Sequence, residues 1–460
     1  MSSAQRLSSR KGPGASGLRL EGVPAFGAIW LGQVFSLFGS HLTGFALGVW
    51  VFQETRSATD FSLISFFSIV PEIALAPLAG VVVDRWSKRT VLLVSTAGAG
   101  VCASVLVFLA ATGQLRLWEI YLIVSVTSAL QSLEFPALSS SITLLVPRRH
   151  LSRANGMVEL STSLAMVAAP LVAGLLLATL GLNRVLALNV IASVIGVCGL
   201  AAVRIPRPDR AVEEGIAKQG KLRLFAAEAA FGWRYISRRR ELFALLLLFA
   251  ASNFVVGMVE VLLPPLVLSF ASAEVLGIVL STGGVGVVLG SILVSIWRGP
   301  ERRIPLILGL NLLRAVVLFL GVLQPRAELI GAAAFVFLFC DPLISTCSQT
   351  IWQTKVPVDL QGRVFAFRRM AALSSLPLAY LLAGPLADRV FEPLMKVQGL
   401  LASTAGAIIG TGRGRGVALM FVAMGVIGLL SVSAAFRYRP LRYLEDRLPD
   451  VAATEEAVSA

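Results

Sequence analysis

The chain has 460 residues, of which 56% are apolar and 14% are charged, and its formal net charge is +14. A water-soluble protein of this length needs far more charge to cover its surface, so the composition excludes that class. Apolar stretches of about 20 residues, the helical length that crosses a bilayer core of about 30 Å, recur along the sequence. We therefore predict an all-α polytopic membrane protein.

The first 23 residues are polar and contain Arg6, Arg10, Lys11 and Arg19. This segment lacks the apolar stretch of a cleavable signal peptide, and it is predicted to be a basic tail in the cytoplasm. The four cysteines all fall inside apolar stretches. Neither a disulfide framework nor a metal site is expected from them.

Twelve transmembrane spans are predicted, six in each of two pseudo-symmetric halves. The first half, residues 24–203, has spans at 24–52, 61–83, 90–112, 118–146, 155–180 and 185–203. The second half, residues 241–436, has spans at 241–270, 275–297, 304–323, 330–356, 364–390 and 417–436. Between them, residues 204–240 form a predicted cytoplasmic loop, in which 222–236 has the pattern of an amphipathic helix. Residues 437–460 form a predicted cytoplasmic tail.

Most of the 40 Lys and Arg residues lie in the two tails, the central loop and alternate short connectors. Basic loops stay in the cytoplasm, so both termini are predicted to be cytoplasmic. Anionic lipid head groups account for the positive charge, and no nucleic-acid partner is expected.

Landmarks of the two halves recur with one offset of 210 residues. The matching pairs are Val146-Pro147 with Val356-Pro357, Arg153 with Arg363, Gly174 with Gly384, and Gly80 with Gly290. Duplicated halves are common in secondary transporters, whose binding site lies between the halves near the bilayer midplane. The glycine run around Gly286 in the eighth span is interpreted as a place of close helix packing.

The loop between the second and third spans contains Gly80, Asp84, Arg85, Lys88 and Arg89. Its order of a Gly, an Asp-Arg pair and a basic cluster resembles the loop motif of the major facilitator superfamily. The resemblance implies twelve helices, transport by alternating access and a gating role for this loop. A basic loop that only sets topology is the alternative.

In the gating role that the resemblance implies, Asp84 pairs with Arg363, Arg368 or Arg369 while the cytoplasmic side is closed. Residues 146–156 and 352–363 are similar to those of the macrolide-efflux and enterobactin-exporter branch.

The segment from Ala169-Pro170 to Gly174 resembles a fifth-helix motif of antiporters, with helix packing as its alternative. The fourth span contains no Arg. Many drug/proton antiporters of this superfamily carry one there, so coupling through that device is not expected here.

Ionisable side chains inside apolar spans are costly, so each is a candidate for substrate binding or proton coupling. The candidates are His41, Glu72, Glu134, Glu159, Glu260 and Asp341. We hypothesise that Glu134 and Glu260, one in each half, face a central cavity, where they exchange protons or attract a cationic substrate. Static pairing or contact with the membrane interface is the alternative. Arg314 and Asp341 are predicted to form a structural ion pair, and His41 is either a proton relay or a packing residue.

The sequence contains no nucleotide-binding loop, zinc motif or nucleophile elbow, so an enzyme is not expected. We predict a monomeric secondary active transporter of the inner or plasma membrane that exports an amphipathic small molecule, such as a drug, siderophore or natural product. A proton gradient, rather than a bound cofactor, is the expected energy source. The alternatives are an importer of a metabolite or lysolipid and a non-transporting receptor on the same fold.

Overall fold

The computed structural model describes residue 20 and residues 22–147, 150–205, 231–297, 299–300 and 302–448. Most of the predicted N-terminal tail, half of the predicted C-terminal tail and most of the predicted amphipathic helix at 222–236 lie outside these ranges. Residues 231–237, at the end of that segment, are helical. Inside the helices, Gly80 and the side chains of Asp84, Arg85 and Arg363 are also outside the description.

The described chain contains twelve helices that are long and apolar enough to cross a membrane, which confirms the predicted number. In the first half, called the N-half, they are α1 (Gly22–Thr55), α2 (Ala58–Arg85), α3 (Lys88–Ala111), α4a (Leu117–Gln131) with α4b (Glu134–Leu145), α5 (Leu151–Leu180) and α6 (Leu182–Ala201). In the second, the C-half, they are α7 (Arg240–Leu268), α8 (Ala273–Ile296), α9 (Arg303–Gly321), α10 (Ala327–Lys355), α11a (Val358–Leu373) with α11b (Ser375–Leu386), and α12 (Arg415–Arg437).

The fourth and eleventh spans, predicted as continuous, are each interrupted. The break between α4a and α4b precedes Pro136, and the break between α11a and α11b precedes Pro377. A proline lacks the N–H that bonds to the carbonyl four residues earlier, and its ring crowds that carbonyl. Both prolines are present in the sequence, but a prediction from apolar length alone does not detect such breaks.

Close packing inside the C-half depends on glycine. A Cβ atom added at Gly290 of α8 would lie 2.5 Å from the carbonyl oxygen of Phe339 in α10, and one at Gly286 would clash with the carbonyl of Phe335. Small residues allow two helix backbones to touch, and such contacts hold helices together in lipid. The packing interpretation of this glycine run is confirmed.

The two ends of the helix bundle differ in what they contain. We call the end where α2 passes into α3, near Lys88 and Arg89, the basic end. The opposite end, where α1 passes into α2 near Thr55 and Ala58, is the distal end.

Two helix pairs join the halves toward the distal end. The first pair is α5 with α8, where a Cβ atom at Gly277 would lie 2.5 Å from the carbonyl oxygen of Pro170, and Ser281 Oγ donates to Val167 O at 2.6 Å. In the second pair, Gly384 of α11b lies directly against Thr59 of α2. These backbone contacts close the space between the halves at that end.

We expect Gly286→Ala to destabilise the protein, because overpacking a filled contact costs about 1–3 kcal/mol. The matched control is Gly309→Ala in α9, where nothing lies within 4 Å of the added Cβ. The measurement is the apparent melting temperature of the purified protein in detergent, which should fall by several degrees only for Gly286→Ala. Equal melting temperatures for the two variants would contradict this account of α8–α10 packing.

Candidate functional site

A central cavity of about 700 Å³ lies between the halves. Its volume falls in the range of small-molecule sites. Four of the six candidate residues line it, namely His41, Glu72, Glu134 and Glu260. Its described lining contains three glutamates and no Lys or Arg, so the cavity favours a cationic ligand.

Glu134 lines the cavity and lies at the helix break. It is the first residue of α4b, where the unpaired backbone N–H groups of a helix start favour a negative charge. Thr96 of α3 donates its hydroxyl to Glu134 Oε1 at 3.3 Å. The sequence identified this acid, but neither its position at a helix start nor its partner.

Glu260 lies within α7 and faces the same cavity from the C-half. Tyr380 of α11b donates its hydroxyl to Glu260 Oε2 at 2.8 Å. The Glu260 side chain is exposed to the cavity despite its position inside the span. The structure therefore places one hydroxyl-bonded carboxylate from each half on a common space.

His41 of α1 and Glu72 of α2 are both exposed on the cavity wall. Arg369, from the other half, lies close enough to Glu72 to interact with it electrostatically.

Three polar groups on the cavity wall add hydrogen-bonding capacity. Gln33 Nε2, Thr43 Oγ1 and Asn189 Oδ1 are buried and have no hydrogen-bond partner within the described residues. Buried polar groups are normally paired, so these three are unusual among the polar groups of the wall.

The remaining two candidates lie elsewhere. Glu159 is exposed on α5 and does not belong to the described wall of the cavity. Asp341 faces a second cavity of about 410 Å³ within the C-half, where its Oδ1 lies 3.4 Å from Arg314 Nη1. The residues predicted as a structural pair are thus in contact, and the Arg314 guanidinium also lies 4.1 Å from the centre of the Phe337 ring.

The predicted gating motif is only partly described, since Gly80 and the side chains of Asp84, Arg85 and Arg363 fall outside the description. Lys88 is buried, and Arg89 donates to the carbonyl oxygens of Leu200 at 3.2 Å and Ala201 at 2.8 Å. Arg89 therefore satisfies carbonyls at the end of α6 that have no partner inside that helix.

The contact of Asp84 with Arg363, Arg368 or Arg369 stays a prediction. Arg368 donates to Gln349 Oε1 at 2.7 Å, inside its own half.

An acid that the sequence analysis did not single out joins the halves at the distal end. Asp388 follows α11b, and its carboxylate caps the start of α2. Its Oδ2 accepts from Thr59 N at 2.8 Å, Thr59 Oγ1 at 2.7 Å and Ser57 Oγ at 2.8 Å, and its Oδ1 accepts from Ala58 N at 3.0 Å. We call this group of hydrogen bonds the distal latch.

A signal for the latch was present in the sequence. Gly384, Asp388 and Arg389 repeat the spacing of Gly80, Asp84 and Arg85, a pattern that is visible once the two stretches are aligned. What the sequence could not show is the partner, because Ser57 and Thr59 lie more than three hundred residues away in the chain.

Comparisons with known proteins agree on the type of fold. The family model for the Major Facilitator Superfamily matches residues 29–380. Macrolide efflux protein A of Streptococcus pyogenes is 25% identical over 79% of this chain and 90% of its own length. The multidrug efflux pump Tap of Mycolicibacterium fortuitum is 24% identical over 76% of this chain and 86% of its own.

Among solved structures, a bacterial homologue of the human lysosomal transporter Spinster, in an inward-facing and unoccupied conformation, matches with a TM-score of 0.66. It is 15% identical and covers 92% of this chain and 99% of its own. The nucleoside transporter NupG matches with a TM-score of 0.65 and 14% identity, over 90% of this chain and 99% of its own.

We expect Asp388→Asn to weaken closure at the distal end. An amide group offers one accepting oxygen, and its NH₂ cannot accept the bonds that Oδ2 receives, so donors at the start of α2 lose their partner. The negative charge at that helix start is lost as well. Closure should therefore become less favourable by about 1–3 kcal/mol.

The measurement is the distance between spin labels at Gln53 and Val397, two exposed positions at the distal end, in a background without the native cysteines. Asp388→Asn should shift the distance distribution toward longer values. Glu54→Gln, which removes an exposed acid at the same end, is the matched control and should leave it unchanged. If both variants give the original distribution, the latch does not hold the distal end closed.

Proposed function

Because this chain belongs to the Major Facilitator Superfamily, we propose that it is a secondary active transporter that exports amphipathic cations in exchange for protons. The observation that carries the proposal is the acidic central cavity, with Glu134 contributed by the N-half and Glu260 by the C-half. The fold and the relatives are those of transporters rather than enzymes. The sequence relatives include a macrolide efflux protein and a multidrug efflux pump, and their names support the direction of transport.

The cavity wall supports an amphipathic substrate. Most of its lining side chains are apolar or aromatic, including Trp30, Phe45 and Phe61, and they offer a surface for a hydrophobic body. The carboxylates of Glu134 and Glu260 offer negative charge to a cation. Displacing water from an ionised carboxylate is costly, and a bound cation offsets that cost. A molecule with an apolar body and one positive charge fits both requirements.

Exchange follows if one carboxylate cannot bind a proton and the cationic substrate at the same time. A carboxylate that holds a proton is neutral and no longer attracts the substrate, whereas an ionised one binds it. The hydroxyl groups of Thr96 and Tyr380 can donate to the ionised carboxylates, and a hydroxyl oxygen can also accept from a protonated one. Protons that arrive from the outer side would therefore release the substrate there.

The geometry also supports a direction of access. The halves are in contact toward the distal end, and the lining of the central cavity extends to Trp30 and Leu138 on the basic side of this contact. We infer that the basic end faces the cytoplasm, because basic connectors are retained there. In this arrangement the cavity takes its substrate from the cytoplasm of a monomeric protein in the inner or plasma membrane, with both termini inside.

The test uses the purified protein in liposomes with an imposed pH gradient and a potassium–valinomycin clamp on the membrane potential. The probe is tetraphenylphosphonium, an amphipathic cation that carries no proton and so is not trapped by the gradient itself. Accumulation should occur in the compartment that supplies the protons. Both Glu134→Gln and Glu260→Gln should reduce the initial rate about tenfold or more, equivalent to about 1.4 kcal/mol or more.

Glu328→Gln, which removes an exposed acid at the start of α10, is the control and should transport normally. Transport without any dependence on the pH gradient would refute proton exchange. Transport that persists in both glutamine variants would remove the roles assigned to Glu134 and Glu260. Protein that binds the probe but moves it under no gradient would favour the receptor alternative.

A further inference from the structure

The second cavity, within the C-half, has the opposite charge to the central cavity. Three arginines line it, Arg314, Arg368 and Arg369, against the single acid Asp341. Its described wall therefore has an excess of positive charge, whereas that of the central cavity contains only acids among its Asp, Glu, Lys and Arg residues. The function proposed above makes no use of these arginines.

Arg314 is the deepest of the three and is only partly paired. Its side chain is 5% exposed, and Nη1 lies 3.4 Å from Asp341 Oδ1. Nη2 of Arg314 is buried and has no hydrogen-bond partner in the described chain. A guanidinium group carries five N–H donors, and an unmade hydrogen bond of a buried charged group is costly. The positive charge of Arg314 is therefore only partly neutralised at the wall of this cavity.

Arg368 and Arg369 lie on α11a beside this site. Arg368 is held in place by Gln349 Oε1 at 2.7 Å and by the Trp352 ring, whose centre is 5.3 Å from the guanidinium carbon. Arg369 is exposed, and it forms no hydrogen bond or ion pair with any described residue. A fixed guanidinium next to a free one matches the paired oxygens of a carboxylate, sulfonate or phosphate.

The rest of the wall fits a molecule that also has an apolar part. Phe249, Trp352 and Phe365 line the cavity next to the arginines, and the amides of Asn253 and Gln349 add polar contacts. Arginine beside aromatic rings is a favourable environment for an anion on a planar body, because the rings stack and the guanidinium groups neutralise the charge.

We propose that the C-half cavity binds the anionic group of an amphipathic ligand, with Arg368 and Arg369 as its main charged contacts and the partly neutralised Arg314 behind them. The proposal deepens the transport function and rests on it for the identity of the ligand. Because Arg369 lies close enough to Glu72 of the central cavity to interact with it electrostatically, the two cavities approach each other at these residues. The preferred substrate is then a zwitterion, with its amine at the glutamates and its acid at the arginines.

The test measures the binding of three matched probes to the purified full-length protein in a non-ionic detergent by isothermal titration. The probes are 1-naphthoate, 1-naphthylmethanol and 1-naphthylmethylammonium, which share one aromatic body and differ in charge. Naphthoate should bind more tightly than the neutral alcohol. Arg368→Gln and Arg369→Gln should each weaken the binding of naphthoate about tenfold or more and leave the binding of the alcohol unchanged.

Two further variants separate charge from folding. Arg369→Lys should retain part of the affinity for naphthoate, because it keeps the charge but not the planar pair of donors. Arg238→Gln removes an exposed positive charge outside the cavity and should bind naphthoate normally. If the two arginine-to-glutamine variants bind naphthoate like the original protein, or if naphthoate binds no better than the alcohol, the anion site does not exist.

The anionic group could come from a soluble substrate or from a lipid head group. Added short-chain phosphatidylglycerol distinguishes these sources: displacement of naphthoate by the lipid, dependent on Arg369, assigns the site to a head group. Absence of displacement, together with arginine-dependent binding of naphthoate, assigns it to a soluble substrate.

Failure of this proposal and failure of the transport function are separable. Arginine-dependent binding of naphthoate in a protein that moves no tetraphenylphosphonium would leave the anion site and remove proton-driven export. Gradient-driven export without such binding would leave proton-driven export and remove the anion site.

Discussion

A hydrocarbon environment cannot solvate a charge, and the arrangement of this protein follows from that constraint. Three ionisable groups within the spans have partners and line a cavity. Glu134 lies at a helix start with a hydroxyl partner, Glu260 has another, and Arg314 has Asp341 and an aromatic ring. The helix break before Pro136 follows from the same constraint, because the free backbone groups that it creates are tolerated only beside a cavity or another helix.

Attraction between helices in lipid comes from close contact rather than from exclusion of water, and the glycines decide where it occurs. They join α8 to α10 inside one half, and they join α5 to α8 and α2 to α11b between the halves. The first contact lies inside the C-half. The others lie toward one end only, so they hold the halves together there without fixing them along their whole length.

Much of the fold followed from the sequence, because apolar length and basic loops are local properties of a chain. The twelve spans needed nothing else, and the cost of charge in lipid was enough to select four residues of one cavity. The same rule could not separate Glu159, which is exposed on α5, from Glu134, since both lie within apolar stretches. Tyr380, Thr96 and Asp388 depend on contacts between distant segments, and a single sequence does not show which segments meet.

The distal latch is built unequally on its two sides. Two of its four donors are backbone amides, at Ala58 and Thr59, and these remain when the side chains at those positions change. The accepting side is the carboxylate of Asp388 alone. Substitutions at the start of α2 therefore leave these two hydrogen bonds in place, except for replacement by proline, which has no N–H. The accepting side of the latch therefore depends on one residue, whereas the contact of Gly277 with Pro170 joins the halves at this end independently of it.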